Sequence, residues 1–262
     1  MRMMKKVLGT VTVLALSVSL LAGCGSTAVS PVSSTASTAA ESTTSSVVSE
    51  TTSAAADENA AAAAQLLNDL TGSYQELWPV ILADEYQQTW LDDCTALVGE
   101  ENAEAAFEKL SSMVTGDVYG EDAVEAYANG GGAYFCGFTN DLATLTFDGE
   151  TSTISGTDKD GNVLFSHTYH YIGMEPVHGL YEFESDDADS GEFTYFFLAP
   201  DTSAETYHIE FRYGSDAEAL SQYDAGEYAY WVASGISTDC DQTMIDNCIE
   251  PVSYTHLTLP TN

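Results

Sequence analysis

From residue 133 to residue 214 the chain reads AYFCGF (133–138), LATLTFDG (142–149), TSTISGT (151–157), NVLFSHTYHY (162–171), GLYEFES (179–185), EFTYFFLAP (192–200) and ETYHIEFRYG (205–214). Apolar and polar residues alternate within these segments, and they are rich in Tyr, Phe, Thr and Val, so each predicts a strand. Turn residues separate them: Asp148-Gly149, Asp158-Lys-Asp-Gly-Asn162 and the run Ser185–Gly191. Seven sequential strands with short turns imply an antiparallel up-and-down barrel or curved meander.

The residues before this region follow a different period. In NAEAAFEKLSSMV (102–114), Ala103, Ala106, Phe107, Leu110 and Met113 recur at helical spacing. EDAVEAYANGGG (121–132) reads as a helix closed by glycines, and AAAAQLLNDL (61–70) favours a helix leading into the domain. Residues 61–130 therefore read as mainly helical, and AEALSQY (217–223) returns to helix. The expected fold is mainly β with flanking helices: a calycin- or lipocalin-like antiparallel β-barrel after an N-terminal helical region. Residues 61–251, 191 in number, suit one domain with a full core.

The N-terminus predicts export. Arg2, Lys5 and Lys6 precede an apolar run, Val7–Leu21, too short for a stable membrane span. Leu21-Ala22-Gly23-Cys24 resembles a bacterial lipobox, which implies cleavage after residue 23 and diacylation of Cys24. Two acyl chains give a stable anchor. The chain is therefore expected in the cell envelope, on the outer face of the cytoplasmic membrane. Residues 24–60 are dominated by Ser, Thr and Ala, with too little apolar surface to offset the entropy of ordering. They read as a flexible tether with a reach of roughly 30–35 Å.

At the other end, PVSYTHLTLPTN (251–262) carries no charge after a strongly acidic region. Its residues reverse-translate to bases resembling a transposase-type sequencing adapter. Residues 252–262 are therefore expected to be adapter read-through, with the natural chain continuing beyond about Glu250. His256 is set aside from every site on that ground.

Charge limits the function. The formal net charge is −35, with 41 acidic residues. Removing the three basic residues of the signal leaves 41 acidic residues against Lys109, Lys159 and Arg212, a net of −38. Such a chain repels phosphate, so no nucleic-acid partner is expected. GxSxG, HExxH, P-loop and GxGxxG motifs are all missing from the sequence, and no enzyme is expected. Asp158–Asn162 and Asp186–Gly191 fail the EF-hand pattern and read as hairpin turns. Cys94, Cys136, Cys240 and Cys248 permit two disulfides in any of three pairings, with Cys240–Cys248 the easiest local pair; free buried cysteine is the alternative.

Four histidines, His167, His170, His178 and His208, fall in the strand region. By alternation Thr206, His208 and Glu210 share one face of their strand, which either lines the barrel or faces water. Imidazole with carboxylates suits a Zn²⁺-type ion.

GSYQELWPVI (72–81), TYHYIG (168–173), FLAP (197–200) and YHIEFRYGSDAEAL (207–220) resemble, in order, motifs of the ZinT/YodA family of exported zinc-binding calycins. The resemblance implies a barrel with helices outside it. It also implies zinc binding in the cell envelope as a chaperone or reservoir, with a metal-uptake transporter as partner. The family's metal site takes one His shortly before the segment matching FLAP and two more as H-x-H. His208 stands at the second of that pair; Thr206 stands at the first and Phe196 before FLAP. A zinc site rebuilt around His208 would draw on His178, His170, Glu205 or Glu210. The second reading is a binding module for a small apolar or aromatic ligand in a Tyr-lined barrel mouth.

Overall fold

The computed structural model describes residues 58–258, so the expected signal, Cys24 and most of the tether lie outside the described residues. Eight antiparallel strands close a barrel in sequence order: β1 (Gly72–Glu76), β2 (Thr144–Asp148), β3 (Thr153–Thr157), β4 (Val163–Met174), β5 (Tyr181–Ser185), β6 (Tyr195–Leu198), β7 (Ile209–Gly214) and β8 (Ala233–Ser237). β1 pairs with β8, which seals the sheet and removes its edges.

Cross-strand partners share a face. Phe183, Phe196 and Tyr213 are successive partners, as are Leu198, Phe211 and Ala233. All are buried, and all belong to the cluster that fills the barrel with Phe147, Ile154, Phe165 and Tyr169. The rings meet edge-on or offset: Tyr169 and Phe196 centroids lie 5.4 Å apart at 88°. The barrel interior is therefore lined and packed by these large side chains.

An N-terminal helix, α1 (residues 58–69), sets Leu66, Leu67 and Leu70 against one end of this core. The β2–β3 turn lies close over it. A Cβ on Gly149 would come within 2.3 Å of the Asn68 Cα, so only glycine permits this approach. A second cluster lies outside the barrel. There α2 (Leu77–Ile81), α3 (Gln87–Val98), α4 (Glu100–Val114) and α8 (Gln242–Thr258) bury Leu77, Trp90, Leu110 and Ile249 against Ile236 of β8. The shorter helices are α5 (Glu121–Ala128), α6 (Ser203–Thr206) and α7 (Ala217–Leu220).

Three sequence expectations need correction. Residues 133–138 form no strand; only Phe135 makes isolated bridges, to Thr115 and Trp231. Residues 72–76 lie within the stretch read as mainly helical, yet form β1, because β2 and β8 flank them with unpaired backbone. The alternation 206–208–210 does not begin at Thr206. A capping box between Thr202 and Glu205 starts α6, and Tyr207 turns left-handed at φ 65° before β7 begins.

All four described cysteines are free thiols. Burial first, and the Glu210 charge second, push the Cys136 thiol up to about 12. Burial and the adjacent Asp93 likewise raise Cys94. Cys94, Cys136 and Cys248 are buried, whereas Cys240 is partly exposed. Brief alkylation of native protein at pH 8 should modify Cys240 about tenfold faster than the other three. Peptide mass spectrometry reads the order; equal rates would contradict this packing.

Candidate metal centre

The outward face of β7 carries Glu210 and Arg212, while Ile209, Phe211 and Tyr213 point inward. The polar face of this strand thus lies outside the barrel, under covering segments. His208 stands immediately before β7, between the barrel wall and α8. Its side chain is one-fifth exposed, at 19%. The left-handed turn at Tyr207 places the ring so that Nδ1 lies 2.8 Å from the Thr206 carbonyl oxygen. A carbonyl only accepts, so Nδ1 carries a proton, and Nε2 is the nitrogen left for other partners. Nε2 faces Glu210 Oε1 at 3.8 Å.

Cys248 reaches the same ring from α8, with Sγ 3.9 Å from Nδ1. Burial lowers the basicity of His208, but the Cys248 thiol and the Glu210 carboxylate outweigh it and hold the imidazole well above the ordinary histidine range. Asp201 adds to this acidic field. Its own carboxyl is pushed up, by burial first and then by Glu210 and Glu205.

Each histidine named from the sequence has its own carboxylate and its own place. His170 projects from the outer wall of β4, with Nδ1 2.8 Å from Asp186 Oδ1. His178 lies in the β4–β5 connection. Its ring packs on Tyr223 at 3.7 Å and its Nδ1 is 3.5 Å from the buried Glu175. His167 pairs across β3 with the core residue Ile154, and its Nδ1 lies 2.8 Å from Asp187 Oδ2. Glu205 is exposed and occupied by its capping box, its carboxylate taking the Thr202 N–H at 3.4 Å.

The two positions where the resemblance calls for further histidines supply no ligand. Phe196 is fully buried in the barrel core, and the Thr206 hydroxyl donates to the carbonyls of Thr202 and His208. Among the described residues, no group of three His, Cys, Asp or Glu side chains stands in an arrangement that could hold an ion. The three-histidine set does not fit this chain. What fits is a pair, His208 Nε2 and Glu210. Sequence reasoning missed Cys248 as a neighbour of His208: it lies 40 residues away on a different element, where no spacing rule reaches.

No protein-family profile matches the chain, and no curated protein matches it. Among solved structures it is similar to the Zn(II)-bound ZinT-like domain of Streptococcus pneumoniae AdcA, at 16% identity and a TM-score of 0.45, covering 70% of this chain and 89% of that one. It is also similar to Zn(II)-bound AdcA from the same organism, at 15% identity and a TM-score of 0.42, covering 72% of this chain. It spans about a third of that longer protein, 35%. The chain thus resembles ZinT-like proteins in the order of its sequence motifs and is similar to a ZinT-like domain among solved structures.

Proposed function

We propose that this chain is an extracytoplasmic, lipid-anchored zinc-binding protein, a reservoir or chaperone for metal uptake, with its ion centred on His208. The observation that carries the reading is the state of that imidazole. Its Nδ1 proton is fixed by a backbone carbonyl, and its Nε2, from which an ion would displace the second proton, faces a carboxylate in an acidic surround. Metal-binding histidines are commonly oriented in this way by a partner on the other nitrogen. His208 and Glu210 would hold the ion, and water or the nearby Asp201 carboxylate would complete its shell. A centre with few protein ligands, partly open to solvent, suits reversible cargo better than a closed structural site. The lipobox at Cys24 supplies the anchor, and a transporter is the natural recipient of the ion.

A competition titration of Zn²⁺ into metal-stripped protein tests this. His208→Ala should weaken the principal site about tenfold or more, and Glu210→Gln by a comparable factor. Because the raised His208 pKa means the ion must displace a proton, affinity should rise from pH 6 to pH 8 with proton release. Unchanged affinity in His208→Ala would overturn the reading.

A further inference from the structure

Exposed apolar surface gathers at the β4–β5 hairpin. Ladder pairing with β3 stops at Thr168, and the rest of β4 runs on with β5 alone. Three of the eight large hydrophobic side chains exposed among the described residues lie there: Ile172 at 41%, Met174 at 38% and Val177 at 67%. Tyr171 and Tyr181 stand beside them, half-buried against the barrel core, their rings edge-on at 5.9 Å.

The turn braces these side chains outward. The fully buried Glu175 carboxylate accepts the Val177 N–H at 2.9 Å and the His178 N–H at 2.5 Å. The Glu175 N–H donates to the Leu180 carbonyl at 2.8 Å, and Gly179, left-handed at φ 74°, donates back to the Glu175 carbonyl at 3.0 Å. Single exposed hydrophobic residues are ordinary on a protein surface. A loose loop, however, would let Val177 fold back onto the wall, whereas these hydrogen bonds fix it at the tip beside Pro176. The tip also carries no exposed carboxylate. In a chain with 41 acidic residues, residues 171–181 hold a single one, the buried Glu175. The hairpin can therefore enter an apolar phase without taking a carboxylate out of water.

The point where the chain enters the domain says what lies opposite. The Asn59 side chain, in the first turn of α1, hydrogen-bonds Tyr171, so the N-terminal lead arrives beside this hairpin. Residues 25–57, 33 in number, separate Cys24 from Glu58. A lead of that length keeps an anchored domain at its bilayer at an effective concentration on the order of a millimolar. A contact too weak to hold a free protein is then populated. We propose that the β4–β5 hairpin is a bilayer-contacting surface: Ile172, Met174 and Val177 enter the interfacial layer, with Tyr171 and Tyr181 at headgroup level, where tyrosines are favoured. The proposal rests on the lipid-anchored reading of Cys24 and is independent of the ion at His208.

The test uses the full lipidated chain in phosphatidylcholine vesicles whose acyl chains carry bromine, a tryptophan quencher. Mass spectrometry of the mature N-terminus first reads the diacylglyceryl group on Cys24. Val177→Trp places a reporter at the tip, with the parent spectrum as the blank. Its emission should shift to the blue and fall about twofold or more relative to unbrominated vesicles. Val163→Trp, at the other end of β4 and similarly exposed at 70%, should keep its emission. Met174→Asp in the Val177→Trp background should cut the quenching severalfold. In lipidated protein, Val177→Trp quenched no more than Val163→Trp would overturn the proposal and leave the anchor standing. Blue-shifted emission without quenching would overturn it in favour of a second copy covering the tip. A mature chain without the diacylglyceryl group would overturn the anchor and this proposal together.

Discussion

Arg212→Met is expected to lower the unfolding free energy by about 3–5 kcal/mol and the melting temperature by roughly 10 °C. Arg212 lies on the outward face of β7 and is fully buried. Its guanidinium donates to the carbonyls of Leu220, Gln222 and Tyr228. These three oxygens belong to the connection between β7 and β8, and their hydrogen bonds fasten that connection to the barrel wall. The guanidinium carbon also sits 4.2 Å from the centre of the Tyr223 ring, which His178 flanks in turn. Burial pulls the Arg212 pKa below the ordinary value, and the Tyr223 ring and the Glu175 charge work against that shift. Methionine fills a similar volume but strands three acceptors, each costing about 1–3 kcal/mol when left without a donor. Arg212→Lys should recover only part of the loss, since a compact ammonium cannot span the same fork of acceptors. Thermal unfolding by circular dichroism reads the result. A melting temperature within two or so degrees of the parent for Arg212→Met would contradict this role.

The second large effect is expected at the barrel axis. Phe196→Ala should cost about 3–5 kcal/mol, because a buried ring is removed from close-packed surroundings that collapse only partly. Phe196 is fully buried, with the Tyr213 ring 5.3 Å away, Tyr169 at 5.4 Å and Phe165 at 6.0 Å. The resulting apolar cavity should stay dry and take up a benzene-sized probe. The parent, its axis filled, should bind no such probe. Probe binding to the parent with unit stoichiometry would favour the apolar-ligand reading over the metal reading.

Six of the seven segments that alternate in the sequence correspond to barrel strands, because each turns apolar side chains to the core, β3 with Ile154 alone and the others with larger sets. The two strands that close the barrel do not. β1 is Gly-Ser-Tyr-Gln-Glu and β8 is Ala-Ser-Gly-Ile-Ser. Each is five residues long and built largely from small or polar side chains. Their strand character comes from neighbours that need their backbone groups, which no local period encodes. Residues 133–138 alternate well but make only scattered backbone bonds, to Met113 and Gly116 on one side and to Tyr230, Val232 and Ser234 on the other, and build no ladder. Arg212 shows the opposite failure. Alternation puts it on the face of Glu210 and cannot say what covers that face, whereas the β7–β8 connection buries it.

The candidate site was legible in part. His208 emerged from the motif order, and Glu210 from alternation. The grouping of His170 and His178 with them did not hold together in space, since β4 and the β4–β5 connection carry each to its own carboxylate. Cys248 arrives on the buried face of α8 beside Ile245 and Ile249, where a cysteine looks like any other apolar residue.

The central claim is that His208 holds a zinc ion through Nε2. Anomalous diffraction at the zinc edge from crystals equilibrated with Zn²⁺ tests it most directly. The account predicts a peak about 2.0–2.1 Å from His208 Nε2, with a Glu210 oxygen in the same shell. Zinc saturating the protein with no anomalous density beside His208 would contradict it.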